Sequence, residues 1–249
     1  MGTLGQVAPS SLVAARLELH WAAQVVAAAA DAHLAKRADD GHTAMRWESP
    51  SMIGDATIGL RVPDLTLTAT TGEQFSLVGK TLTEAMAWAD HRFGEQRGLH
   101  ARDYDMPTSP IATGERFIGH LAQLGELARW YDLGQDGLAR ITAGEKRPTD
   151  IRIWPHHFDL GAILYLDPTG EHRQIGIGLS PGDGSYAEPY FYVTPHPLAK
   201  DTAFPSLPSG TWRREGWTGA VLTGTEIVAG ADPHAFLRAA VDGARSVIR

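Results

Sequence analysis

Apolar and polar positions alternate along this chain with two different periods, and the changes between them mark its elements. From Leu12 onward, Leu12, Ala15, Leu19, Ala22, Ala23, Val26 and Ala30 recur at helical spacing. This predicts a helix capped by Ser10 or Ser11, running to about Arg37, with one buried stripe. Trp21 is expected in the core beside it and His20 on the surface, and Asp39-Asp40-Gly41 is expected to stop the helix, with Gly41 at positive φ. Strand-like runs follow at 43–48, 56–62, 65–70 and 73–77, the last two joined through Thr71-Gly72. Thr81 and Glu84 have capping-box spacing and open a helix through about Gln96. Further helices are predicted over about 114–132 and from Asp232 or Pro233 to about Ile248, with 134–147 a short helical or irregular link.

The central segment, 152–197, carries three strand-like runs with one consistent register. Phe158, Leu160, Ala162 and Leu164 share a face of the first run, and Ile175, Ile177 and Leu179 share a face of the second. Leu164 opposite Ile175 brings Ala162 opposite Ile177 and Leu160 opposite Leu179. A slip by one residue turns one set away from the core. Phe191 and Val193 of the third run fit beside Ile177 and Ile175, which places Tyr190 over Gly178 and Tyr192 over Gly176. The opposite face then carries His157, Asp159, Ser180, Glu188, Tyr190 and Tyr192, beside a glycine-rich loop with Asp183.

Composition narrows the classes. The 249 residues are 43% hydrophobic and 20% charged, as in an ordinary globular chain. A net charge of −7 gives no electrostatic reason to bind nucleic acid or anionic lipid. The absence of cysteine excludes disulfides, thiolate metal sites and cysteine nucleophiles, and suits a reducing cytoplasm. The apolar run QVVAAAADA is too short to span a bilayer and lacks a basic leader, so it reads as an ordinary helix.

No P-loop, dinucleotide fingerprint or nucleophile elbow is present. Asp159 is placed to orient the His157 imidazole as an acid–base pair. His157 and Asp159, with Glu188 or His196, also offer N and O ligands for a divalent metal ion. Ser180 beside Asp159 suggests a hydrolase triad only weakly, because a mid-sheet serine lacks an oxyanion hole.

Trp154-Pro155-His156-His157-Phe158-Asp159-Leu160-Gly161, then GLSPGD, then EPYFYVTPHP resemble an uncharacterised bacterial family with WPHHFDLA, GFSPGD and EPYFYVTPWP-like motifs. The resemblance covers most of the chain but implies no activity. His196 stands where that family commonly carries tryptophan.

The expected fold is α+β, antiparallel sheet with helices packed on its faces, as a single compact domain over 1–249. Two similar helix–strands–helix halves are expected at about 10–96 and 114–248. The leading functional expectation is a small-molecule or metal site on the His157/Asp159/Tyr190/Tyr192 face, with Ser180, Asp183 and Glu188 as ligand contacts. Acid–base or metal-assisted hydrolysis is the first enzyme class to test. The rival is a non-catalytic interaction or scaffold protein whose polar sheet face is structural.

Overall fold

A computed structural model describes residues 3–93, 95–199 and 202–248. The fold is α+β, and every described strand pairing is antiparallel. Residues cluster into two compact units, with limits near 132, 151 and 158 rather than at 96 and 114. No described helix is long and apolar enough to cross a membrane.

The first unit comprises Ser11–Asp132 and Arg152–Phe158, together with residues 3–7. It holds α1 (Val13–His33), strands β1 (Met45–Glu48), β2 (Ser51–Gly54), β3 (Ile58–Arg61), β4 (Thr66–Ala69) and β5 (Gln74–Ser76), and α2 (Leu82–Asp90). It also holds the start of α3 (Leu121–Thr142) and the two-residue strand β6 (Arg152–Ile153). The strand order in this unit is β6-β1-β2-β3-β4-β5. Helix α1 packs on β2, β3 and α2. It approaches β2 so closely that a Cβ on Gly54 would lie 2.6 Å from Val26 Cγ1. Ala22–Ala30 is buried all round rather than along one stripe, because alanine is narrow enough for neighbours to close in on every side.

Polar groups of α1 organise the loops around it. The buried Glu18 carboxylate accepts from the amides of Ile118, Gly119 and His120, just ahead of α3. Gly119 has φ 77°, so α3 starts at Leu121 and not at 114. His20 is buried, not on the surface: its Nε2 lies 2.8 Å from the Pro155 carbonyl, which also accepts from Gln24 Nε2 at 2.7 Å. Trp21 is half-buried at the margin, donating to the Pro107 carbonyl at 3.1 Å. Residues 154–158 therefore form a turn, with the Phe158 amide donating to the Trp154 carbonyl at 2.7 Å. Phe158 has φ 60°, a strained value for a bulky residue. Its ring stacks on His20 at 4.5 Å, and its carbonyl accepts from Tyr131 Oη at 2.9 Å.

The second unit comprises 8–10, Leu133–Ile151 and 159 onward. It holds the end of α3 and strands β7 (Leu160–Tyr165), β8 (Gln174–Ser180), β9 (Tyr190–His196), β10 (Thr211–Arg213) and β11 (Gly219–Thr223). The short α4 (Gly224–Val228) and α5 (Pro233–Val247) complete it. Strand order is β10-β11-β9-β8-β7. Leu160, Ala162, Leu164, Ile175, Ile177, Leu179, Phe191, Val193, Ala220 and Leu222 form the buried face. Phe236, Leu237, Ala240 and Val241 of α5 are buried, and α5 packs on β8, β9 and β11. Helix α3 continues through 134–142, the helical of the two forms expected for the 134–147 link. Gly134 sits against Leu179 and Leu160, and Gly137 against Leu237 and Phe191, so glycines that weaken the helix locally let it lie close to the sheet.

Several local expectations hold and others do not. Thr81 and Glu84 form the expected capping box, and Asp232 caps α5. Strands β2 and β10 were not anticipated. Ser10 and Ser11 lie in a 3-10 turn, while Leu12 takes the N-cap position of α1, which ends at His33 rather than Arg37. In the loop beyond it, Asp40 rather than Gly41 takes positive φ.

Burial in the first unit lowers the His20 pKa from its ordinary 6.5 to about 4, partly offset by the hydrogen bond to Pro155 and reinforced by the charges of Arg16, His156 and His157. Between these two values the unfolded chain binds the proton and the folded chain does not. The contribution is therefore present above about pH 6.5 and lost as pH falls to about 4, amounting to roughly 3 kcal/mol. Urea unfolding at a series of pH values should show wild type losing about that much more stability across the window than His20→Gln. Parallel profiles would rule out His20 as the source.

Candidate functional site

Strands β7, β8 and β9 pair Leu160 with Leu179, Gly161 with Gly178, Ala162 with Ile177 and Leu164 with Ile175, the register that apolar alternation predicts. The β8–β9 register differs from expectation by two residues. Gly178 faces Tyr192 and Ser180 faces Tyr190, while Gly176 faces Thr194. A two-residue slip keeps every side chain on its face, so alternation alone does not select between the two registers. The observed one puts Tyr192 beside two glycines on neighbouring strands.

That placement determines the site. A Cβ on Gly178 would lie 2.3 Å from Cζ and Oη of Tyr192, and one on Gly161 would lie 2.9 Å from the same Oη. The ring thus lies across both glycines and occupies the space that their missing side chains leave. Its hydroxyl donates to Asp159 Oδ2. Tyr190 is buried beside it, with ring centroids 6.3 Å apart, and donates to Asp183 Oδ2 at 2.6 Å. Asp183 Oδ1 accepts from the amides of Ser185 at 2.6 Å and Tyr186 at 3.0 Å, and the Asp183 amide donates to the Tyr186 carbonyl at 2.7 Å. One carboxylate therefore closes the glycine-rich loop and docks it on β9. Burial, then the adjacent carboxylates, push both phenols far above the ordinary tyrosine range.

The other predicted site residues are placed as follows. Ser180 is buried and its Oγ accepts from the Gly182 amide at 3.1 Å, an ST-turn at the strand end. Glu188 turns to α4, accepting from the amide and hydroxyl of Thr225, both at 2.6 Å. His196 is exposed at the end of β9, opposite Gln174. Asp159 precedes β7, which starts at Leu160, so the expected Asp159–Ser180 pair falls just outside the ladder. His157 is exposed in the 154–158 turn of the first unit, its ring 4.3 Å from His156, and not on a strand. Phe158's positive φ is what ends the extended conformation there. Among the described residues, no three His, Asp or Glu side chains converge to hold a metal ion. The donor set expected from His157, Asp159 and His196 is not assembled.

Tyr186 was not anticipated. Its ring lies 4.9 Å from Tyr190, and the Arg213 guanidinium lies 5.2 Å from the Tyr186 centroid and 5.4 Å from that of Trp217. The signal for Tyr186 is the spacing Asp183-Gly-Ser-Tyr186, an Asx turn that returns the ring over the sheet. Arg213 had only its place in a charged turn between two tryptophans. Comparison with known proteins adds no relative: no family model, no curated protein and no solved structure matches the chain.

The contact of Tyr192 with the paired glycines has a direct test. Gly178→Ala should displace the phenol and cost about 1–3 kcal/mol, the range for overpacking. In Tyr192→Ala the same glycine change should cost much less. Equal costs in both backgrounds, measured by chemical denaturation, would refute the packing.

Proposed function

We propose that the chain is a non-catalytic interaction or scaffold protein, and that the polar face of its second unit is a structural hydrogen-bond network. The observation that carries this reading is the position of Tyr192, which fills the gap over Gly161 and Gly178 and donates to Asp159. Tyr190 and Asp183 are engaged in the same way. A buried phenol with its pKa raised is a neutral donor at physiological pH, and each carboxylate here accepts from it. The motifs WPHHFDLG, GLSPGD and EPYFYVTPHP, through which the chain resembles a bacterial family, then read as packing motifs: each includes residues with a definite folding duty. The cysteine-free composition suits a cytoplasmic setting.

A small-molecule site is the second reading, favoured by the exposure of Asp183 at the loop end of this face. A double-mutant cycle on Asp159→Asn and Tyr192→Phe, run with a thermal-shift metabolite screen, separates the two. On the structural reading each single change costs about 1–3 kcal/mol, because it weakens or removes a partner of a desolvated group. The double mutant then costs less than the sum. An Asp159→Asn protein of unchanged stability, which has lost binding of a metabolite that wild type binds, would establish the ligand reading instead.

A further inference from the structure

An interaction protein needs a surface with unsatisfied binding capacity, and the second unit has one at its terminal strand β10. Among the described residues, neither Arg213 nor Arg214 makes an ion pair. Arg213 Nε donates to the Glu215 carbonyl at 2.6 Å, while its two terminal nitrogens have no described protein acceptor. The guanidinium is nevertheless held in place, lying over the rings of Tyr186 and Trp217. Arg214 lies 4.8 Å from the centroid of Phe204 and donates to the Thr202 carbonyl. Phe204 in turn stacks on Trp212 at 4.1 Å.

Stacking on aromatic faces fixes a guanidinium without using its in-plane N–H donors, which are the groups that grip a carboxylate. The strand adds a second form of recognition. Residues 211–213 pair with β11 on one side, and no described backbone group bonds the other. An unpaired edge of this kind accepts an extended segment. Charge selects which segment. Arg213 and Arg214 outnumber the one acidic side chain beside them, Glu215, in a chain that carries −7 overall, so this edge stands out and favours an acidic partner.

We propose that β10 is the docking edge for an acidic, extended segment of a partner protein, with Arg213 as its main carboxylate contact. This rests on the interaction reading of the chain and names the surface and the partner chemistry. The test uses full-length protein and an octaglutamate peptide carrying a fluorophore, with octalysine as control, followed by anisotropy at low and at physiological ionic strength. The expected result is saturable binding of octaglutamate only, weakened by salt. Arg213→Ala should weaken it roughly tenfold, with little change in melting temperature. Arg213→Lys, which keeps the charge but not the planar fork, should recover only part of the affinity. Amide hydrogen exchange at 211–213 should slow in the complex. No binding up to about 1 mM peptide, equal binding by wild type and Arg213→Ala, or binding without protection of β10 would each overturn the inference. The Asp159–Tyr192 cycle reports separately: uncoupled energies with peptide bound remove the structural-network reading alone, and coupled energies without binding remove this inference alone.

Discussion

The second unit depends on a shortage of side-chain volume at two paired positions. Gly161 and Gly178 face each other on adjacent strands, and only the absence of both Cβ atoms lets the Tyr192 ring lie across them. Once the ring is there, its hydroxyl reaches Asp159, the neighbouring Tyr190 reaches Asp183, and the loop between β8 and β9 closes on that second carboxylate. The opposite face of the sheet uses the same device. Gly134 brings α3 against Leu179, where a Cβ would lie only 2.7 Å from Cδ2, and Gly137 lies close to Leu237 and Phe191. Missing atoms on both faces thus make a tightly packed layer.

In the first unit the corresponding centre is one carbonyl. Pro155 O accepts from both His20 and Gln24, which lie one turn apart on α1. These two donors, the His20–Phe158 stack and the Tyr131 hydroxyl together hold a turn whose last residue has an unfavourable φ. Removing any one leaves a buried polar group or an unsupported strained residue. A loop with five consecutive bulky residues can therefore have one conformation.

Local pattern carried much of this fold, and its failures have specific physical origins. The Thr81 capping box, the Asp232 cap and the β7–β8 register are all short-range signals, and all three are present. The β8–β9 register is not local. Both alignments bury the same residues, and the choice rests on where a phenol finds room and an acceptor. Phe158 misled because its hydrophobicity continues the alternation of β7 while its backbone turns away from it. His20 misled for the complementary reason: its burial depends on an acceptor 135 residues away, at Pro155. Of the site residues, Asp159, Ser180, Asp183, Tyr190 and Tyr192 do gather in one unit. His157, Glu188 and His196 were assigned from strand parity alone, which says nothing about where a strand begins or which helix end lies nearby.

The chemistry of the gathered residues bears on what the face can do. A proton relay needs one member whose pKa lies near the working pH and whose partner can take or give the proton. Here burial raises the pKa values of Tyr190 and Tyr192 far above that range, so both phenols are neutral hydrogen-bond donors at neutral pH. Asp183 accepts from two backbone amides as well as from a phenol. Each phenol donor is thus matched to a carboxylate acceptor. The same match makes the pairs effective as ties between loop and sheet, since a hydrogen bond to a charged acceptor is stronger than a neutral one. The face continues to Tyr186, whose ring rests against Tyr190 and lies beneath the Arg213 guanidinium. Contacts from Tyr190 through Tyr186 thus link the network to the Arg213 guanidinium in the same unit.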